Sequence, residues 1–199
     1  VSPRAGQLLP GPCRTLVNRP GRGRRTVAQV AACLEALGPR PPARALEVGC
    51  GGGAVAAFLA GARNMEVVAT DLDPREARVA LDRRPPGARL HVAVMDAARL
   101  ALAGGGFDLV VAQHMLHHVP DWQGAVREAT RVLRPGGHLI WIDLALPRWA
   151  AWLLAPFAGR IGVFTRAEVE AAFAGAGLRV RQRRRAGVLH RLVLEKTGE

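Results

Sequence analysis

"ALEVGCGGGAVAAFLA", residues 45–60, sets Gly49, Gly51, Gly52 and Gly53 between an apolar run and an alanine-rich stretch. Glycine loses more backbone freedom on folding than any other residue, so four at one junction need a cause. The flanks supply it. "ALEVG" (45–49) reads as a short buried strand and "AVAAFLAGA" (54–62) as a helix, which makes the glycines a strand-to-helix turn. In an open α/β sheet, ligands lie beyond the carboxyl ends of the strands, and glycines there let a cofactor approach the backbone.

The same alternation continues outward. "EVVATD" (66–71) reads as a strand, and Pro74 is placed to open a helix that runs to Arg84. "RLHVAVM" (89–95) and "FDLVVAQ" (107–113) read as the next two strands. A helix over 121–133 is stopped by "RPGG", and "HLIWIDL" (138–144) is the fifth strand. Strands of this kind alternating with helices predict a Rossmann-like, doubly wound α/β sheet that is mostly parallel. The tail differs: a helix over 165–174 precedes "LRVRQRRR" and "VLHRLVLEK", which can pair as an antiparallel C-terminal hairpin. In the first of these strands, Arg179, Arg181 and Arg183 alternate and are expected to share one face.

Ahead of the core, a helix is expected from Thr26 to Leu37. Residues 1–25, rich in Pro, Gly and Arg, read as an irregular basic segment, and 26–199 as a single domain. The chain has 199 residues, 49% apolar and 22% charged, which fits a globular protein with a core of its own. Its net charge of +12 raises the question of nucleic acid or an anionic membrane as partner. Every Lys or Arg except Lys196 is arginine; with so much Ala and Gly, that skew is typical of GC-rich coding, so part of the charge is background. No aromatic residues interleave with the arginine run, which weighs against a surface for stacking bases. Cys13, Cys33 and Cys50 are scattered without a CxxC spacing, as in a reducing cytoplasm, and the opening residues do not read as a signal peptide. A soluble, cytoplasmic protein is expected.

"GCGGGA" fits both GxGxG and the GxGxxA form of the dinucleotide fingerprint, and is weak evidence alone. Asp71 ends the second strand, where a carboxylate can accept from two ribose hydroxyls. Asp73, beside Pro74, is the competing reading as a helix-capping residue. The sequence becomes specific when "LEVGCGGG", "VVATDLDP", "VMDAARLAL", "FDLVVAQHMLHHV" and "REATRVLRPGGHL" are taken in order. Together they resemble a class I S-adenosyl-methionine-dependent methyltransferase, of the small type that includes quinone-ring methylating enzymes. The resemblance is good over 43–144 and loose over the tail. It implies a seven-stranded sheet whose last strand is antiparallel, with S-adenosyl-methionine as cofactor. It places Glu47 and Gly49 around the methionine portion, with Gly51 and Gly53 in the same loop, Asp71 on the ribose and Leu72 against the adenine. Asp96 would accept from the adenine amino group beside Ala97, and Gln113 and His114 would border the sulfonium and the acceptor.

Methyl transfer from a sulfonium needs alignment, exclusion of water and sometimes proton removal; it needs neither a metal nor a covalent nucleophile. "HMLHH" brings His114, His117 and His118 together, yet no further ligand stands at a metal-binding spacing, so no metal is expected. His117 and His118 read as supports of their loop. His114, just after the fourth strand, is a candidate general base, as is Asp143 near the end of the fifth. Proximity alone, with no base, is an equal alternative.

The expected function is methylation of a small apolar or aromatic acceptor. The competing readings are an RNA or lipid methyltransferase using the basic surface, an NAD(P)-dependent oxidoreductase, and a non-catalytic nucleotide-binding module. The chain has no tyrosine, which removes a tyrosine-based proton relay from the oxidoreductase reading. Finally, residues 146–164 are too long for a tight connection and read as a lid. Trp149, Trp152, Leu153 and Phe157 form its apolar stripe, flanked by Arg148 and Arg160. The stripe would line the acceptor pocket, pack on the sheet, or rest on an anionic membrane.

Overall fold

A computed structural model describes residues 20–37, 42–154 and 164–198. Cys13, Phe157 and Arg160 lie outside the described residues, as do 1–19 of the basic segment.

Seven strands form one sheet: β1 (Arg44–Val48), β2 (Glu66–Asp71), β3 (Leu90–Val94), β4 (Phe107–Gln113), β5 (Leu133–Leu144), β6 (Leu178–Ala186) and β7 (Leu189–Lys196). Their order across the sheet is β3-β2-β1-β4-β5-β7-β6. The first five strands pair in parallel, and β7 pairs antiparallel with both β5 and β6. Strand order reverses between β1 and β4, the switch point where such sheets leave a crevice. The mixed sheet and C-terminal hairpin agree with the sequence reading.

Helices cover both faces. On one lie α1 (Pro20–Leu34), α2 (Ala54–Gly61) and α3 (Pro74–Asp82), which bury Val30, Val55, Leu59 and Ala80 against Leu109, Ile140 and Val193. On the other, α4 (Trp122–Val132) and α6 (Arg166–Gly175) pack Trp122, Val169 and Phe173 with Phe164 around Trp141. A short helix, α5 (Arg148–Leu154), follows β5. The ends are chemically marked: Asp73 caps α3, Asp121 caps α4, and Thr165 with Glu168 forms a capping box at α6.

Three expectations are corrected. The first described helix begins at Pro20 instead of Thr26, so 20–25 are helical. Proline is pre-set for a helix start, and the arginines that follow are good helix formers. "RPGG" does not separate α4 from a later strand; β5 starts directly at Leu133. The extra residues form an irregularity against β4: Phe107 pairs with Leu133, but Leu109 pairs with His138. Gly136 takes φ 70° there.

Third, Arg179, Arg181 and Arg183 do not share a face. Val180 pairs with Leu194 and Gln182 with Val193, which leaves Arg181 as an extra residue in the strand. One added residue inverts the alternation that follows it. Arg179 and Arg181 therefore converge on Glu195, while Arg183 reaches Glu170 of α6.

Candidate functional site

The glycine loop meets its neighbours closely. Gly49, Gly51 and Gly53 have φ of 67°, 49° and 71°, a region that side chains rarely occupy. A Cβ on Gly49 would stand 2.7 Å from Met115 Cβ, and one on Gly53 2.6 Å from Ala80 Cβ. Two of the glycines thus admit the protein's own atoms, bringing α3 and the β4 loop close to the turn. Backbone bonds fix the loop: Cys50 N–H donates to Thr70 O at 2.9 Å, and Gly53 N–H to Cys50 O at 2.9 Å. Arg83 adds a bond from Nη1 to Gly52 O at 2.6 Å.

Asp71 and Asp73 are separated by their bonding. Asp73 accepts from Arg75 N–H at 2.9 Å and from the Arg75 guanidinium, as a helix cap does. Asp71 instead accepts from Gly51 N–H at 2.7 Å and Asp73 N–H at 2.9 Å, tying β2 to the glycine loop. Burial holds its carboxyl above the usual range, with those two amides acting in the opposite direction. Each carboxylate oxygen has capacity for a further donor.

Beyond the strand ends lies a cavity of about 630 Å³, within the range of small-molecule sites. Of the residues singled out in the sequence, Glu47, Gly49, Gly51, Asp71 and Leu72 line it from β1 and β2. Asp96, Ala97, Gln113 and His114 line it from β3 and β4. Gly53 stands behind, under α3, and is not among the lining residues. Asp96 accepts from Ala98 N–H at 2.9 Å, which shapes the turn after β3.

Glu47 is 2% exposed, and its Oε2 has no hydrogen-bond partner in the structure. Burial pushes its pKa up to about 8, the Ala56 N–H acts to lower it, and Asp71 raises it further. Gln113 Oε1 is likewise buried without a partner. Two unpaired acceptors on residues of one cavity suit a ligand that carries hydrogen-bond donors, such as the ammonium end of an amino acid.

His114 adopts φ 51°, and its N–H donates to Ile142 O at 2.7 Å, which anchors it against β5. Burial lowers its pKa, Asp143 opposes that, and Arg22 and His117 lower it further. His118 also lines the cavity and is pushed down to about 4, by burial first and then by His117. Both rings are therefore neutral at pH 7.

Asp143 is fully buried and is not among the cavity residues. Its Oδ2 accepts from Leu116 N–H at 2.8 Å and its Oδ1 from Leu144 N–H at 2.8 Å. The same Oδ1 bonds His117 Nδ1, and the His117 and His118 rings lie 3.9 Å apart. The sequence reading separated these two residues, one as a base and one as a support; folding pairs them. Because β4 and β5 lie side by side, residues 26 apart in sequence come together, and no local pattern announces that contact.

Helix α1 covers part of the cavity. Arg22, Gly23 and Val27 of α1 line the cavity, within and just beyond a segment read as irregular. Pro20 was the available signal. Met95 and Met115 add apolar wall. The tryptophans of the expected lid neither line this cavity nor pack in the core: Trp149 is 69% exposed and Trp152 76%. Among the described residues, no group of three His, Cys, Asp or Glu side chains is placed to hold a metal ion.

Residues 46–141 match the family model described as a methyltransferase domain. The chain is 36% identical over 119 residues to the demethylmenaquinone methyltransferase of Beutenbergia cavernae, covering 60% of this chain and 48% of that protein. It is 38% identical over 112 residues to the ubiquinone biosynthesis O-methyltransferase of Xanthomonas axonopodis pv. citri, covering 55% and 45%. The matched stretch thus spans under half the length of these relatives. Among solved structures, the PH0226 protein of Pyrococcus horikoshii superposes with a TM-score of 0.74 at 20% identity, covering 92% of this chain and 93% of that one. At that identity the likeness is one of fold.

Proposed function

We propose, from the premise that residues 46–141 form a methyltransferase domain of the class I, S-adenosyl-methionine-dependent family, that the chain methylates a small, largely apolar or aromatic acceptor. The observation that carries this reading is the single cavity joining Glu47, Asp71, Asp96 and His114 at the sheet's switch point. The unpaired oxygens of Glu47 and Gln113 fit the donor's amino-acid end, and Asp71 fits its ribose. Asp96, with Ala97 beside it, would accept from the adenine amino group, and Leu72 would lie against the ring. When bound, the donor supplies a methyl group on a positively charged sulfur, which already carries its own leaving group.

The chain's residues then have three tasks. The glycine loop and Asp71 hold the donor in one orientation, so that attack is in line. Met95, Met115 and Val119, with Val27 of α1, give the cavity an apolar wall that excludes water. Such a wall favours an apolar acceptor by roughly 25 cal/mol per Å² buried. The two quinone-pathway relatives support that acceptor class.

Where the acceptor is a hydroxyl, its proton must leave. His114 faces the cavity as a neutral ring and takes the proton at an imidazole nitrogen in the main reading. A second reading is favoured by the Asp143 contact: His117 is not itself a lining residue, but its ring lies against the lining residue His118, and, held at Nδ1 by a buried carboxylate, it would take the proton at Nε2. In both, Asp143 positions the loop and does not touch the acceptor. That differs from the sequence expectation of Asp143 as a base.

Calorimetry with S-adenosyl-homocysteine and with NAD tests the donor. Tight binding of the first alone is expected, and Asp71→Ala should weaken it by at least tenfold, since each charge-assisted bond is worth about 1.5–3 kcal/mol. Labelled donor with a hydroxylated quinone precursor tests the transfer. His114→Ala should then lower kcat by roughly 10²–10⁴-fold with donor affinity kept. The same loss in His117→Ala and Asp143→Asn, with His114→Ala active, would select the second reading. NAD binding as tight as that of S-adenosyl-homocysteine would overturn the assignment.

A further inference from the structure

The apolar stripe of α5 has no part in the site above. Trp149, Trp152 and Leu153 are 69%, 76% and 56% exposed, and their spacing of three and four residues puts them on one helix face. The turn between β6 and β7 stands beside the start of this helix. Leu189 pairs with Leu144, and Ala145 N–H donates to Val188 O at 3.0 Å. Val188 is itself 46% exposed.

The sequence on either side of this face carries charges of one sign. From Leu144 to Ala167 the sequence has three arginines and no acidic residue, and from Ala171 to Leu194 six arginines and none. Arg179, Arg181 and Arg183 are ion-paired with Glu195 and Glu170. Arg148 opens α5, and Arg184 and Arg185 end β6 beside the turn; among the described residues these three have no acidic partner.

We propose that this face, made of Trp149, Trp152, Leu153 and Val188, with Arg148 at the start of the helix and Arg184 and Arg185 on opposite faces of the neighbouring strand end, docks on the surface of an anionic lipid bilayer. Tryptophan suits that boundary, because one part of the indole is apolar and its N–H remains wet. Guanidinium groups at the same level meet lipid phosphates. No helix among the described residues is long and apolar enough to cross a membrane, so the contact lies in the interface plane. A second copy of the chain fits less well. Two indoles of about 150–250 Å² each, with the smaller exposed parts of Leu153 and Val188, fall short of the ~800 Å² per partner in a stable dimer. Self-association would also oppose the unpaired arginines of two chains with a net charge of +12 each.

The position has a consequence. α5 leaves the carboxyl end of β5, beside the end of β4 that carries Gln113 and His114. Docking therefore turns the cavity's end of the molecule toward lipid. The docking itself does not rest on the methyl-transfer reading, and its test needs no catalysis.

Vesicles of mixed phosphatidylglycerol and phosphatidylcholine, and of phosphatidylcholine alone, are sedimented with the protein. Binding to the mixed vesicles alone is expected, and it should fall with added salt. The double variant Trp149→Ser, Trp152→Ser should lower partitioning by about tenfold or more. Arg148→Gln and Arg185→Gln should each lower it by about fivefold. Brominated lipid should quench the exposed indoles in the wild type, leaving the signal of Trp122 and Trp141, which are 9% and 0% exposed. An unchanged denaturation midpoint confirms that the double variant folds. No vesicle binding, equal binding by wild type and double variant, or a dimer in sedimentation velocity that the double variant abolishes would each overturn the proposal.

Discussion

Glu47 carries a proton at neutral pH because burial, with Asp71 adding to it, raises its pKa to about 8. The consequence for stability follows from linkage. The folded group releases its proton near pH 8 and the unfolded group near 4.5, so between these values the folded state holds the extra proton. This contribution is fully present below about pH 4.5 and is lost as pH rises through 8. Glu47→Gln should therefore remove a fall in unfolding free energy on the order of a few kcal/mol between those limits, read from urea titrations of both proteins. A positively charged ligand group beside Oε2 would favour the carboxylate. Binding of S-adenosyl-homocysteine at pH 7 should then release a proton in the wild type and none from this site in the variant. The dependence of binding enthalpy on the buffer's ionisation enthalpy measures it.

Between elements, contact distance decides which glycines matter. Gly53 lies at φ 71° with its virtual Cβ 2.7 Å from the backbone Cα of Ala80, whereas Gly87 has φ 73° and open space around it. Gly87→Ala should cost only left-handed strain, about 1–2 kcal/mol. Gly53→Ala adds an overlap that α3 must move to relieve, and should cost roughly 2–4 kcal/mol in denaturant unfolding. That contrast is absent from the sequence, where both are simply glycines before a well-formed segment. What could be read there was local. β4 spans Phe107–Gln113 as its apolar run predicts, and β2 ends at Asp71 as its composition predicts. The features that escaped depend on partners far along the chain. Arg181 becomes an extra residue only because Val180 and Gln182 pair with consecutive residues of β7. Likewise, Asp143 meets His117 only because β4 and β5 lie side by side. That Asp71 and Asp96 line the cavity could be read because a strand end marks them, while Arg22 could not, lying on a helix that packs over the sheet.

At the scale of the molecule, that helix brings Arg22 and Arg24 to the cavity at the carboxyl end of the sheet. α1 packs its Val30 and Leu34 face on the sheet and turns Arg22 and Val27 toward the cavity. Its charge is felt there. Burial is the largest cause that lowers the His114 and His118 pKa values, and the Arg22 guanidinium adds to it in both. A base in this position gains availability and loses strength: the ring is unprotonated at pH 7, but its conjugate acid is less stable. Arg22→Ala removes the repulsion between guanidinium and imidazolium, so both histidine pKa values should rise. Each ring would then begin to protonate at a higher pH, and the acidic limb of a rate profile governed by His114 should move the same way. Imidazole proton shifts followed by NMR across pH 3–8 would record the rise at His114 and His118 without substrate. Parallel displacement at His138 would mark a global change instead, because burial lowers its pKa first, Glu195 opposes that, and Arg181 and Arg134 lower it further, with no part for Arg22. Unmoved titrations of His114 and His118 in a folded variant would mean that α1 covers the cavity by packing alone.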